Sequence, residues 1–295
     1  MPFFLSDMRF RRTLEDILFP AGKEFVNTRS LAYLKLVLAD KRKSVLIASF
    51  PNSGYAWAGS ILEYCILKKA GLTYETGYKD GDGPLIMRRK KNFVLLTPAD
   101  SRSQNIRKIR EVFSGVDIDY CLHTHGAWKY SPLWGLDSAR TLLIIRNIPV
   151  TLFSFFMKKK QIRAYENGFR SFLEEGSLRE IIGYYNSWGD FLQKKGIRCR
   201  IFKYEDMKKD TLAQFADMYE YVFGKKIEDD ILADGIDIFS FDRQKQIESN
   251  MEKNESLHSL FRGAIDYSNS IEPEAMNLIL SEIRKNLKHD FGYSY

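Results

Sequence analysis

The stretch that decides the fold is residues 43–57, which read KSVLIASFPNSGYAW. Its first half is a continuous apolar run with β-branched members, which predicts a buried strand of a parallel sheet. Pro51 and Gly54 end this run, and the residues from Ala56 to Ala70 have helical spacing. A strand, a glycine-containing turn and a helix in this order form the first half of a βαβ unit. We therefore expect an α/β fold that starts at this strand.

Apolar runs of the same kind recur along the chain. They predict strands at residues 118–123, 138–145 and 198–203, and helices from about 150, at 178–194 and at 205–223. Strands that alternate with helices favour a doubly wound α/β domain with a central parallel sheet flanked by helices. Ligands of such sheets bind at the carboxyl ends of the strands. We expect a single domain over residues 1–295, in which residues 1–42 are a helical or irregular lead-in.

Composition narrows the class of protein. A chain of 295 residues with 44% hydrophobic residues can bury a sizeable core. The three cysteines are widely spaced without a CxxC pair, so we expect no disulfide framework and a cytoplasmic location. Charges interrupt every apolar run near the N-terminus, and no run approaches the roughly 20 residues of a membrane span. The net charge of +7 is spread over several clusters and fits either a solvated surface or the steering of anions.

The turn after the first predicted strand is a candidate phosphate site. Where a helix follows a strand, the backbone N–H groups at the helix start and the helix dipole form a potential anion site. Gly54 lets a ligand approach the backbone closely, and Ser53 can donate its hydroxyl. An ordinary strand-to-helix turn is the alternative. The sequence is not GxxxxGK[ST], because no Lys-Ser/Thr pair follows a glycine at that spacing.

Arg146 and Ser154 form a second candidate phosphate site. Arg146 follows the apolar run 138–145, and Ser154 lies eight positions later on a predicted helix. The planar guanidinium binds two phosphate oxygens at once. A helix-capping or surface arginine is the alternative.

His123 and His125 end a predicted strand, where alternate side chains share a face. A histidine at this position can act as a general base at neutral pH. A buried core histidine is one alternative, and a metal-binding HxH pair is another. Because the chain has only two further histidines, His258 and His289, and no eightfold βα repetition, we expect no bound metal.

Two of these segments resemble motifs of the PAPS-dependent sulfotransferases, where PAPS is 3′-phosphoadenosine-5′-phosphosulfate. Residues 49–57 resemble the family's 5′-phosphosulfate loop, [SY]-[YF]-P-[KR]-S-G-[TN]-T-W, although Asn52 replaces the basic residue and Tyr55-Ala56 replace residues that usually offer hydroxyls. Residues 146–154, RNIPVTLFS, resemble R-[ND]-P-x-D-x-x-x-S, whose Arg and Ser hold the 3′-phosphate. In this copy the proline is displaced by one position, and Thr151 replaces the aspartate.

Further segments resemble the family in the same order along the chain. Residues 123–125 resemble K-T-H, whose histidine is the catalytic base, with His123 in place of the lysine. Residues 204–207 match Y-E-D-[ML], whose tyrosine lies near the adenine and whose acids order the sheet end. Looser similarities cover residues 239–250 (S-F-x-x-M-K-x-N), 261–269 (F-R-K-G-x-x-G-D-W-[KR]-N) and 291–293 (L-G-Y).

The resemblance implies a sulfotransferase that moves a sulfuryl group from PAPS to a hydroxyl or amine of a small-molecule or carbohydrate acceptor, leaving 3′,5′-adenosine bisphosphate (PAP). It implies a P-loop-like phosphate turn after the first strand and a cofactor-covering loop at 249–270. The implied catalytic residues are His125, His123 and Asn52. The implied cofactor-binding residues are Pro51, Asn52, Ser53, Gly54, Tyr55, Ala56, Trp57, Arg146, Ser154, Tyr204, Phe241, Arg262 and Gly263.

Several points stay open at this stage. We expect neither a nucleic-acid partner nor a membrane span, and a homodimer is compatible with the sequence. The acceptor is not specified. A nucleotide-binding relative with lost or weak catalysis is an alternative, because Asn52 removes a positive charge where the leaving phosphate gains negative charge. A small-molecule kinase is disfavoured by the missing Lys-Ser/Thr pair and by the lack of an evident Mg²⁺-holding carboxylate.

Overall fold

The computed structural model describes residues 44–69, 71, 95–96, 120–127, 140–161, 164–243 and 270–295. In this part of the chain, five strands form one sheet in the order β2-β3-β1-β4-β5. The strands are β1 (Ser44–Ser49), β2 (Leu95–Leu96), β3 (Tyr120–Thr124), β4 (Arg140–Ile145) and β5 (Cys199–Lys203). β1 pairs in parallel with β3 and β4, β4 pairs in parallel with β5, and β2 runs antiparallel to β3. The predicted central parallel sheet is confirmed, with an antiparallel strand added at its edge.

Helices follow the strands as the sequence predicts. They are α1 (Tyr55–Lys69), α2 (Ile148–Gln161), α3 (Phe169–Phe172), α4 (Leu178–Leu192), α5 (Tyr204–Lys209), α6 (Thr211–Phe223), α7 (Asp229–Ile238) and α8 (Pro273–Asn286). A π-helical turn, Leu173–Ser177, joins α3 to α4. The single helix predicted over 205–223 is two helices, because the Asp210 carboxylate accepts the backbone N–H of Ala213 at 3.3 Å and begins α6.

The sheet is buried on both faces around β1 and β4. Val45, Ile47, Leu142 and Ile144 belong to a core with α1, α6 and α7. The intervening residues, Leu46, Ala48, Leu143 and Ile145, are buried as well. This two-sided burial explains why both strands read as continuous apolar runs rather than as alternating ones.

Polar side chains collect where the parallel strands end. Ala48 is in register with Thr124, and Ser49 is in register with Ile144, so β1, β3 and β4 end at the same edge of the sheet. The turn 50–54, His125 and Arg146 follow directly from these strand ends. The carboxyl edge of the sheet is therefore where a ligand site can form.

Two predicted segments lie outside this description. The lead-in 1–42 is one of them, so a single domain over 1–295 stays a prediction. The covering loop at 249–270 also lies outside the described residues, apart from its last position. Among the helices that are described, none has the length and apolar character needed to cross a membrane.

Candidate functional site

The turn between β1 and α1 is tight and hydrogen-bonded. The Ser53 N–H donates to the Phe50 carbonyl at 3.1 Å, and the Ala58 N–H donates to the Gly54 carbonyl at 3.0 Å. Asn52 and Gly54 both have positive φ, 64° and 106°. Asparagine is one of the few residues besides glycine that adopts the left-handed conformation readily. The first-turn N–H groups of α1, which lack partners within the helix, extend this turn.

One side-chain atom of Asn52 and one of Ser53 are buried without a hydrogen-bond partner among the described residues. These atoms are Asn52 Nδ2 and Ser53 Oγ. Leaving a buried polar group unpaired costs about 1–3 kcal/mol. Such groups point to a polar ligand.

Arg146 brings a buried positive charge to the same turn. Its side chain is 5% exposed, its Nη1 donates to the Asn52 carbonyl at 3.1 Å, and its Nε has no partner within the described residues. None of the ion pairs found in the described ranges joins a carboxylate to this guanidinium. A buried charge without a counter-ion is costly, so the site has the electrostatic character of an anion pocket.

The Tyr204 ring packs against both Arg146 and Gly54. The Arg146 guanidinium carbon lies 4.3 Å from the centre of the Tyr204 ring, which is a cation–π distance. A Cβ on Gly54 would come within 2.6 Å of Tyr204 Cδ2, so only glycine fits here. Trp57 packs edge-on against the same ring, with centroids 5.9 Å apart. The Tyr204 ring thus contacts the turn, the start of α1 and Arg146.

His125 lies beside the turn, immediately after β3. Its Nδ1 is 2.7 Å from the Ser49 carbonyl oxygen, and only a protonated Nδ1 can donate to that oxygen. The neutral ring then carries its basic lone pair on Nε2. The Tyr55 ring packs edge-on against the imidazole, with centroids 6.4 Å apart. The strand-end carbonyl therefore orients the ring and sets the tautomer that a general base requires.

The backbone of the arginine is held by residues that the motifs did not single out as site residues. The Tyr185 hydroxyl accepts the Arg146 N–H at 3.1 Å and donates to the Arg146 carbonyl. Glu205 Oε1 accepts the next N–H, that of Asn147, at 3.0 Å. Tyr185 lies in the aromatic-rich helix that the sequence predicts, but its partner is 39 positions away.

Some of the remaining predicted site residues lie within the described part of the chain, and others lie outside it. Ser154 is buried on α2 and makes no hydrogen bond among the described residues, and Phe241 is partly buried in the helical turn after α7. His123 pairs with Ile47 in the register of β3 and β1. Arg262 and Gly263 lie outside the described residues, so their contact with a phosphate stays a prediction.

The comparison with protein families bears on this arrangement directly. A family model described as a sulfotransferase domain matches residues 42–277. The chain belongs to the sulfotransferase family. This match covers the strand, the turn, His125 and Arg146, and it confirms the family predicted from the motifs. Comparison with curated protein sequences gives no match for this sulfotransferase.

Solved structures share its fold. A mouse sulfotransferase, SULT7A1, solved with PAP, is 19% identical with a TM-score of 0.56, and the match covers 88% of this chain and 89% of that one. Retinol dehydratase solved with androsterone and PAP is 15% identical with a TM-score of 0.54, and the match covers 98% and 96% of the two chains. A further structure of retinol dehydratase, with retinol and PAP, is 15% identical with a TM-score of 0.54 over 90% and 88%. The likeness confirms the predicted fold class.

Proposed function

We propose that this sulfotransferase takes PAPS as its donor and transfers the sulfuryl group to a hydroxyl or amine of a small-molecule or carbohydrate acceptor. The observation that carries the proposal is the buried charge of Arg146, which has no counter-ion among the described residues. It lies beside Asn52 Nδ2 and Ser53 Oγ, which have no hydrogen-bond partner in the same part of the chain. Three neighbouring structures hold PAP, which agrees with this choice of nucleotide.

The pocket fits a nucleotide with two separate phosphate groups. The N–H groups at the start of α1, together with Ser53 Oγ, suit a 5′-phosphate. Arg146 Nε, which is buried and unpaired within the described residues, and the hydroxyl of the buried residue Ser154 suit a second phosphate. PAPS supplies the activated sulfuryl group, and its 3′-phosphate distinguishes it from most cellular adenine nucleotides.

His125 is the general base of the proposed reaction. With Nδ1 donating to the Ser49 carbonyl at 2.7 Å, the ring accepts a proton at Nε2 from the acceptor hydroxyl or amine. The Ser49 carbonyl then stabilises the charged ring. The acceptor oxygen or nitrogen gains nucleophilicity as its proton moves to the imidazole.

A second candidate function is nucleotide binding with weak catalysis. Asn52 supports it, since an amide stands where the resemblance implies a basic residue, and its Nδ2 makes no hydrogen bond within the described chain. A neutral amide stabilises the charge that grows on the leaving phosphate less than an ammonium or guanidinium does. Because the chain belongs to the sulfotransferase family, we no longer propose a small-molecule kinase.

The two candidates are separated by a transfer assay. The protein is incubated with PAPS and with phenols, alcohols, amines and sugars, and the release of PAP is followed by mass spectrometry. We expect acceptor-dependent release that EDTA does not reduce and that His125→Ala abolishes. Tight binding of PAP, together with no formation of PAP from PAPS for any acceptor class, would favour nucleotide binding with weak catalysis. Formation of PAP that His125→Ala leaves unchanged would refute the proposed base.

A further inference from the structure

Three consecutive peptide N–H groups follow β4, and a different side chain holds each of them. Tyr185 Oη accepts from Arg146 at 3.1 Å, Glu205 Oε1 accepts from Asn147 at 3.0 Å, and Tyr295 Oη accepts from Ile148 at 3.4 Å. These partners lie 39, 58 and 147 positions away in the chain. The backbone that carries the phosphate-binding arginine is therefore fixed by tertiary contacts.

The last nine residues, 287–295, contribute to all three contacts, and we name them the C-terminal segment. Phe291 packs edge-on against the Tyr185 ring, with centroids 5.5 Å apart. The Tyr293 hydroxyl donates to Glu205 Oε2 at 2.5 Å, which fixes the carboxylate whose other oxygen holds Asn147. Tyr295 supplies the third acceptor itself.

The C-terminal segment is held to the domain at both of its ends. Near its start, the Asn186 side chain accepts the Lys288 N–H at 2.7 Å. Near its end, Lys203 Nζ donates to the Gly292 carbonyl at 3.2 Å. Phe291 and Gly292 both have positive φ, 54° and 76°, in a turn where the Tyr293 N–H donates to the Asp290 carbonyl at 3.1 Å. A bulky residue rarely adopts that conformation, which persists only where the surroundings impose it.

We propose, on the basis of the proposed function, that the C-terminal segment is a positioning element that aims Arg146 at the 3′-phosphate of the nucleotide. The guanidinium makes one hydrogen bond to protein in the described residues, to the Asn52 carbonyl. Apart from its contact with the Tyr204 ring, the direction of the guanidinium depends on where the backbone of residues 146–148 is held. Bidentate recognition of a phosphate is sensitive to this direction, and displacements of a fraction of an ångström are enough to weaken it.

The chemistry of the supporting groups suits a permanent positioning role. Burial raises the pKa of Tyr185 and of Tyr295 well above the usual range, so both hydroxyls keep their protons. Burial, together with the hydrogen bond to Glu205, does the same for the pKa of Tyr293. The three tyrosine hydroxyls therefore stay protonated in the physiological range.

The test compares affinities for PAP and for 5′-AMP, which lacks the 3′-phosphate. The test variants are Tyr295→Phe and Glu205→Leu, each of which removes one acceptor from the 146–148 backbone. Calorimetry gives the Kd of both nucleotides, and the measured quantity is the ratio of the AMP Kd to the PAP Kd. We expect this ratio to fall about threefold to tenfold in each variant, which is the effect of one hydrogen bond, with AMP affinity within about twofold of wild type.

Two controls separate positioning from a general loss of structure. Glu205→Gln keeps an oxygen that accepts the Asn147 N–H, so it should restore most of the ratio that Glu205→Leu loses. Tyr221→Phe removes a hydroxyl that donates to the Thr141 carbonyl at 3.0 Å, at the opposite end of β4. This control should leave the ratio unchanged.

Each outcome decides for or against the proposal. If wild type prefers PAP and both test variants keep its full ratio, the positioning proposal is wrong while the proposed function stands. An equal loss of affinity for both nucleotides together with a lower Tm assigns the C-terminal segment a purely structural role and also overturns it. If wild type does not prefer PAP, the proposed function itself fails.

Discussion

Replacing Arg146 with methionine should reduce nucleotide affinity strongly and leave the stability of the unliganded protein nearly unchanged. Methionine keeps the apolar stem of the side chain and removes its charge. In the proposed complex, the unpaired Nε and a second guanidinium N–H donate to the 3′-phosphate. Charge-assisted hydrogen bonds contribute about 1.5–3 kcal/mol each, so two of them give about 3–6 kcal/mol, or roughly two to four powers of ten in Kd.

The expected effect on stability is small because opposing contributions nearly cancel. Arg146→Met loses the hydrogen bond to the Asn52 carbonyl and the contact with the Tyr204 ring. These are worth about 1–3 and about 1–2 kcal/mol. The variant also removes a buried charge that has no counter-ion within the described ranges, and the desolvation of such a charge costs several kcal/mol. We therefore expect the Tm to stay within about 4 °C of wild type or to rise.

Calorimetric titration with PAP and thermal unfolding without ligand measure the two effects on the same preparation. Arg146→Lys is the matched control, since it keeps the charge but not the planar fork, and it should recover only part of the affinity. A variant with normal PAP affinity and a clearly lower Tm would refute the reasoning and make Arg146 a structural residue.

Three other predictions follow from the site and the core. His125→Ala should lower the transfer rate about a hundredfold to ten-thousandfold and change PAP affinity no more than a few fold, which steady-state kinetics and calorimetry test together; full activity would refute the base. Asn52→Lys should raise the transfer rate if catalysis is weak. It should also lower the free energy of unfolding by about 1 kcal/mol, because residue 52 has φ of 64° and lysine adopts this conformation less readily than asparagine. An unchanged rate would show that another cation stabilises the leaving phosphate. Burial raises the pKa of Glu63 from 4.5 to about 8, so the fold holds a proton that the unfolded chain releases. The free energy of unfolding should therefore fall as pH rises from about 5 to 8, by up to about 1.4 kcal/mol per pH unit. Glu63→Gln should flatten this pH dependence in Tm measurements. Equal slopes for wild type and variant would show that Glu63 is ionised in the fold.

The sheet and its order of elements could be predicted from sequence because burial on both faces leaves a strong local signal. The run 43–50 predicts β1, and the runs 138–145 and 198–203 predict β4 and β5 to within about two residues. The break at Asp210 was missed, because a side-chain cap that starts α6 outweighs the helical spacing of 205–223.

The site could be predicted only where its residues follow directly from a strand. The turn, His125 and Arg146 are such residues, and the fold brings them to one edge of the sheet. Tyr185, Glu205 and Tyr295 accept from the backbone N–H groups of residues 146–148 through contacts between distant segments. The motif at 204–207 implies that Glu205 helps to order the sheet end, but no local pattern indicates which N–H groups these three side chains accept from.

The most direct test of the central claim is a calorimetric comparison of PAP with 5′-AMP on the wild-type protein. The claim is that the buried charge of Arg146 serves the 3′-phosphate of an adenine nucleotide. We predict micromolar binding of PAP and an affinity for 5′-AMP that is lower by several powers of ten. Equal affinities for the two nucleotides would contradict the assignment of Arg146 and of the donor together.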